Sequence, residues 1–194
     1  MHYSLCDMIA DITQNSVEAG ANHITLECVQ SADAFDVTVK DDGKGMSKET
    51  LVKAENPFYT DGIKHPKRKV GLGIPFLIQT AEETNGSWNI QSQPGKGTIV
   101  TMRFNLANID TPPIGDISEL FFSVMTMPGE YDMDIHRVDI IGQRDYSFKR
   151  SELQEALGGE LASAASQILL KKFIVSQEAG ESTTSPHASG YVVL

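Results

Sequence analysis

The sequence is poor in cysteine, in positive charge and in long apolar runs, and each shortage excludes something. Its two cysteines, Cys6 and Cys28, provide neither a disulfide framework nor metal-ligand spacing. Both fall in apolar-patterned segments and are expected as buried thiols, which suits a reducing compartment. No stretch reaches the roughly eighteen apolar residues of a membrane-spanning helix. The first residues, from Met1 to Asp7, lack a basic segment followed by an apolar run, so no secretory signal is expected. With no address visible, a cytoplasmic location is the expectation. With 16 Lys and Arg against 26 Asp and Glu, the net charge is −10. That argues against a surface built for phosphate backbones, so neither nucleic acid nor membrane is an expected partner. Residues 110–194 hold 13 acidic and 6 basic residues, which reads as a solvated acidic surface or as a docking face for a basic protein. Internal repeats are absent. So are the phosphate loop GxxxxGK[ST] and the dinucleotide fingerprint GxGxxG.

What is there begins with an amphipathic helix over residues 5–19, where Leu5, Met8, Ile9, Ile12, Ser16 and Ala19 recur at helical spacing. Residues 23–29 and 34–40 alternate like two strands around a polar turn. Residues 42–70 are rich in Gly, Pro, Lys and Asn and read as a long loop with a short helix after Ser47. A second helix is expected from Gly73 to Thr84, with Pro75 tolerated in its first turn. Residues 87–93 and 98–106 make a hairpin around Pro94-Gly95-Lys96-Gly97. Residues 108–115, with Pro112-Pro113, resemble a linker. Beyond it, residues 120–127 and 133–141 are expected as strands. Ser151 is expected to open a helix with Gln154 in capping-box position, and a last helix to run over 161–175. The expected division is a domain over 1–108, an extension or small subdomain over 109–175, and a flexible Ser/Thr/Gly-rich tail over 176–194.

Five motifs carry chemistry. Asp11 and Asn15 lie one helical turn apart and face the same way. An Asn oxygen there suits Mg²⁺, and Asp11 can orient or deprotonate a water; the pair alone reads more readily as a polar helix face. Asp41-Asp42-Gly43-Lys44-Gly45-Met46 follows a strand, placing a carboxylate where it can accept from a purine amine and glycines where backbone can approach a ring. The motif alone is also an ordinary glycine turn. Asn56-Pro57-Phe58-Tyr59-Thr60 stands in the loop. Gly71-Leu72-Gly73 precedes a helix, where exposed N–H groups and the helix terminus favour phosphate. Lys64, Lys67, Arg68 and Lys69 lie just upstream as a phosphate clamp or a solvated loop. Gly95-Lys96-Gly97-Thr98 sits at a hairpin tip; alone it reads as an ordinary turn, and its functional reading is that the Thr98 hydroxyl holds an adenine or its bound water.

In this order, the set resembles the Bergerat-fold ATPases: the DNA gyrase, heat-shock chaperone, histidine kinase and mismatch-repair ATPases. The resemblance covers about residues 5–106 and is strongest to histidine kinases, through Gly71-Leu72-Gly73-Ile74, Asn85-Gly86-Ser87 and Pro94-Gly95-Lys96-Gly97-Thr98. Pro57-Phe58-Tyr59-Thr60 looks like their phenylalanine box, whereas Asn15-Ser16-Val17-Glu18-Ala19-Gly20-Ala21 is similar to the mismatch-repair form of the first motif. The resemblance implies an α/β fold, a two-layer α+β sandwich whose mixed, mainly antiparallel sheet carries helices on one face. It implies ATP and Mg²⁺ as ligands. Asn15 falls at the metal-binding asparagine, Asp41 at the adenine-binding aspartate and Asp11 at the catalytic position. Gly43, Gly45 and Met46 match the first glycine box, Lys69, Gly71, Leu72 and Gly73 the second, Phe58 and Thr60 the lid, and Gly97 and Thr98 the closing Gly-Thr.

Two departures shape the functional expectation. Gyrase-like and chaperone-like members place Glu at the position of Asp11 as hydrolytic base, and Asp is one methylene shorter. A histidine kinase also needs a phosphoacceptor His on an upstream hairpin, and neither His2 nor His136 sits in such a motif. The expectation is therefore a stand-alone kinase-like domain that passes phosphate to a partner protein, on His or on Ser/Thr. The alternative is an ATP-gated interaction module with weak or no hydrolysis. The presence of Asn15, Asp41, Gly71, Gly73 and Thr98 argues against a decayed pocket. Nothing in the sequence fixes the oligomeric state.

Overall fold

A computed structural model describes residues 4–55 and 73–180. Helix α1 (Leu5–Glu18) starts at a capping box: the Ser4 hydroxyl accepts from the Asp7 N–H at 3.2 Å, and the Asp7 carboxylate accepts from the Ser4 N–H at 2.8 Å. Its next two orphan N–H groups, on Leu5 and Cys6, donate to the carbonyls of Pro113 and Ile114 at 2.9 and 2.8 Å. The segment expected as a linker thus caps the first helix. Leu5, Met8, Ile9, Ile12 and Ser16 form its buried stripe.

Strands β1 (His23–Gln30) and β2 (Ala34–Asp41) form the expected hairpin, turning Ile24, Leu26, Cys28, Val37 and Val39 to one face. After the short α2 (Lys48–Glu55) and α3 (Gly73–Glu83) comes the second hairpin, β3 (Ser87–Gln93) and β4 (Gly97–Asn105). β4 pairs with β2 antiparallel, bringing Thr98 opposite Asp41. Helix α4 (Ile117–Met125) precedes β5 (Asp132–Asp139), β6 (Arg144–Lys149), α5 (Arg150–Ala156) and α6 (Ala164–Ala179). The sheet has the order β3-β4-β2-β1-β5-β6, antiparallel throughout except for the β1–β5 pair. On its apolar face α1 packs between α3 and α4, and α6 packs on α4. Both cysteines are buried in this core; burial pushes the Cys6 thiol up to about 12 and the Cys28 thiol up as well.

Residues 109–175 contribute two strands to this one sheet and a helix against α1. Residues 120–127 are not a strand. The Asp116 side chain accepts from the Glu119 N–H at 2.9 Å as a helix cap, and Ile117, Leu120, Phe121 and Val124 recur at helical spacing. A short apolar run reads either way until such a cap is recognised. The capping box expected at Ser151 does not form either: the Ser151 hydroxyl donates to Asp132 at 2.9 Å, and Gln154 reaches the carbonyl of Gly159 at 2.8 Å. α6 starts from a Ser163 cap and continues past the expected end at Val175 to Ala179. Strand β6 was not expected from the sequence.

Candidate functional site

Asp41, at the end of β2, is buried, and its carboxylate gathers the first and last glycine motifs. One oxygen accepts from the Ser16 hydroxyl at 2.7 Å; the other accepts from the N–H groups of Gly43 at 2.9 Å and Thr98 at 3.2 Å. A carboxylate offers about four acceptor directions. Three protein donors fix this one and leave capacity for one more, enough for one of the two N–H groups of a purine amine. Asp42 does different work. Its carboxylate accepts from the N–H groups of Asn22 and His23 at 2.7 and 2.9 Å, which draws it below the usual carboxylate range. It fastens the start of β1.

The hairpin tip and first glycine box are stitched together. The Ser92 hydroxyl accepts from the Met46 N–H at 2.8 Å, donates to the Gly97 carbonyl at 3.1 Å and lies 2.9 Å from the Thr98 hydroxyl. The Lys44 N–H donates to Ala19, and the Lys44 carbonyl accepts from Gly95. Glycine is required twice here. Gly97 has φ +85°, and a methyl on it would fall 1.9 Å from the Asp41 carbonyl; Gly45 has φ +61°, and a methyl there would fall 1.9 Å from the Gln93 carbonyl.

Asp11 and Asn15 share the exposed face of α1, and no described residue hydrogen-bonds either side chain. The N-terminus of α3 comes to the same place: a methyl on Gly73 would sit 3.2 Å from Asp11 Cβ and 3.8 Å from its carboxylate. Partial desolvation, then the like charge of Asp7 one turn away, raise the Asp11 carboxyl above its ordinary value. Asp11, Asn15 and Gly73 therefore form one cluster on α1 and α3. Asp41, Gly43, Gly45, Met46, Gly97 and Thr98 form another, and Ser16, one residue after Asn15, joins the two. Phe58, Thr60, Lys69, Gly71 and Leu72 lie outside the described residues. The sequence reading missed Ser16 and Ser92 as site residues. A hydroxyl on the apolar stripe of α1 was the available signal for Ser16; Ser92, in a polar edge strand, gave none.

Among the described residues no group of three His, Cys, Asp or Glu is placed to hold a metal. An ion beside Asn15 would therefore depend on the phosphates of a bound nucleotide, which fits a cation that keeps most of its water. A separate cleft of about 390 Å³ lies at the far end of β1, lined by Gln30, Asp116, Arg137, Arg144 and Glu178 among others. Each guanidinium nitrogen of its buried Arg137 has an acceptor: Nε donates to Glu178 at 3.2 Å, Nη1 to the Val138 carbonyl at 3.0 Å and Nη2 to Gln30 at 2.6 Å.

The family described as histidine kinase-, DNA gyrase B- and HSP90-like ATPase matches residues 3–108. Sporulation kinase C of Bacillus subtilis is 30% identical over 97 residues, which is 49% of this chain and 22% of that protein. The DNA mismatch repair protein MutL of Dictyoglomus turgidum is 39% identical over 57 residues, 29% of this chain and 10% of that one. The chain thus spans less than a quarter of either relative. The catalytic domain of the histidine kinase ThkA superposes with a TM-score of 0.39 at 18% identity, covering 50% of this chain and 63% of that chain. No helix among the described residues is long and apolar enough to cross a membrane.

Proposed function

The chain belongs to the histidine kinase-, DNA gyrase B- and HSP90-like ATPase family, and from that premise we propose that its ATP-binding domain of histidine kinase type holds Mg²⁺·ATP and passes the γ-phosphoryl group to an acceptor side chain on a partner protein. The single observation that carries this reading is the Asp41 carboxylate, held by Ser16, Gly43 and Thr98 with one acceptor direction left for the adenine amine. Met46 and the glycines around it border the base. Asn15 would ligate Mg²⁺ through its carboxamide oxygen. The ion, when bound, neutralises phosphate charge as the group transfers. The Gly73 end of α3 directs positive partial charge toward the same phosphates. Asp11, at the mouth of this cluster, orients the attacking group and accepts its proton. Positioning and electrostatics are the main demands of phosphoryl transfer.

The experiment is incubation of the chain with γ-labelled ATP and candidate acceptor proteins. Label on a protein, lost in Asp41→Asn, supports transfer; label that never leaves nucleotide or free phosphate sinks it. A second reading, an ATP-gated interaction module, is favoured by the Pro113 and Ile114 carbonyls that cap α1. Through them the helix bearing Asp11 and Asn15 is tied directly to residues 109–179. Partner affinity that is indifferent to a non-hydrolysable ATP analogue would remove this reading.

A further inference from the structure

The sheet ends on β6, and among the described residues nothing pairs with its outer edge. Open edges are commonly blunted by proline, a bulge, an inward charge or charged edge side chains such as Lys, and the outer-face charges of β6, Asp145 and Lys149, are of opposite sign. β6 has no proline and no bulge, running in unbroken register with β5. Its inward charge, Arg144, is neutralised by Asp139 at 2.5 Å.

The edge is complementary to itself. Laid antiparallel against a copy about Ser147, it sets Asp145 opposite Lys149 of the second copy, and Tyr146 opposite its Phe148. Opposite charges and aromatic pairs directly across a ladder are the favourable ones. Within the chain Asp145 pairs with His136 at 3.0 Å and Lys149 with Asp132 at 3.3 Å, both on β5, so the pairs between copies would be shared with these. The opposite edge, β3, contains no charged residue to set such a register.

Helix α6 adds an apolar strip beside this edge. Lys171 marks the side toward α4, reaching Glu119 at 2.7 Å and lying over the Phe122 ring. Phe173 marks the side toward β6, meeting Phe148 edge-on at 5.7 Å between ring centroids. Leu169, one turn before Phe173, lies on that same side and is 53% exposed.

We propose that this chain self-associates as a two-fold dimer through antiparallel β6–β6 pairing over residues 145–149, with the Leu169 and Phe173 strips of the two α6 helices meeting beside it. The two sheets become one. Asp41 stays open, because β2 lies three strands from β6. So small a contact falls at the low end of specific interfaces, and a reversible, concentration-dependent dimer is expected.

The test is sedimentation equilibrium of the full chain over a concentration series, with Asp145→Lys, Lys149→Glu and the double swap. Each single swap sets like charges opposite and is expected to weaken the dimer at least tenfold; the double swap restores it to within threefold. Cysteine cross-linking keeps the test decisive should a swap fail to fold. Ser147→Cys is expected to form an interchain disulfide on mild oxidation, since the native Cys6 and Cys28 are buried. Asn89→Cys on β3 is expected to form none. A chain monomeric at about 100 μM, with or without β6 amides protected by its own residues, overturns the proposal. So does a dimer indifferent to both single swaps, or one that the double swap leaves broken.

Discussion

Two buried polar centres sit at opposite ends of the β1 strand, and they differ in what they leave undone. At one end, Arg137 has a partner for each guanidinium nitrogen, Glu178 also receives the Tyr146 hydroxyl, and Asp139 receives Arg144. At the other, the buried Asp41 is fixed by three donors and keeps an acceptor direction, and Asp11 and Asn15 lie beside it on the exposed face of α1 with no hydrogen-bond partner among the described residues. A satisfied centre rigidifies the fold, and an incomplete one waits for a ligand. The proposed nucleotide site therefore rests on the unfinished hydrogen bonding at Asp41 and not on the size of a cleft.

The largest effect that would break this contrast belongs to Arg137. Arg137→Ala empties the space of a buried guanidinium and leaves the half-buried Glu178 without its charge partner, and is expected to destabilise the fold by about 3 kcal/mol. Thermal or denaturant unfolding reads this, and nucleotide affinity at a temperature where the variant is folded should stay within threefold. Asp41→Asn follows. The neutral amide cannot accept as the carboxylate does, and losing one charge-assisted hydrogen bond of about 1.5–3 kcal/mol weakens nucleotide binding roughly ten- to a hundredfold by calorimetric titration. Ser16→Ala removes only the donor that aims Asp41, so the expected loss is about 1 kcal/mol, some fivefold in the same titration.

The smallest effect concerns pH. Asp11 has its carboxyl raised, so its charged form is disfavoured in the folded chain, and it subtracts stability as pH rises above the ordinary carboxylate value. Asp11→Asn is expected to raise the melting temperature slightly at pH 7 and to give no gain below the ordinary carboxylate range. A melting temperature lowered at pH 7 would contradict the assignment.

The same contrast separates what was legible in the sequence from what was not. α1, the two hairpins and the Asp41 turn follow from local periodicity and turn chemistry, and they position Asp11, Asn15, Asp41 and Thr98. The Arg137 end depends on β1 pairing in parallel with β5, across more than a hundred residues. Nothing local in Arg144–Lys149 announces that partner, so β6 was missed. Without recognition of the Asp116 cap, α4 reads as a strand. Ser92 was invisible for a related reason: its three contacts come from Met46, Gly97 and Thr98, which only the folded hairpin brings together.

The unfinished end of the sheet is expected to receive the nucleotide and the finished end is not. Amide hydrogen exchange with and without a Mg²⁺-bound, non-hydrolysable ATP analogue tests it most directly. We expect slower exchange in residues 41–46 and 92–98 and no change at Gln30 or residues 137–144. Protection at the Arg137 end, with none around Asp41, would contradict it.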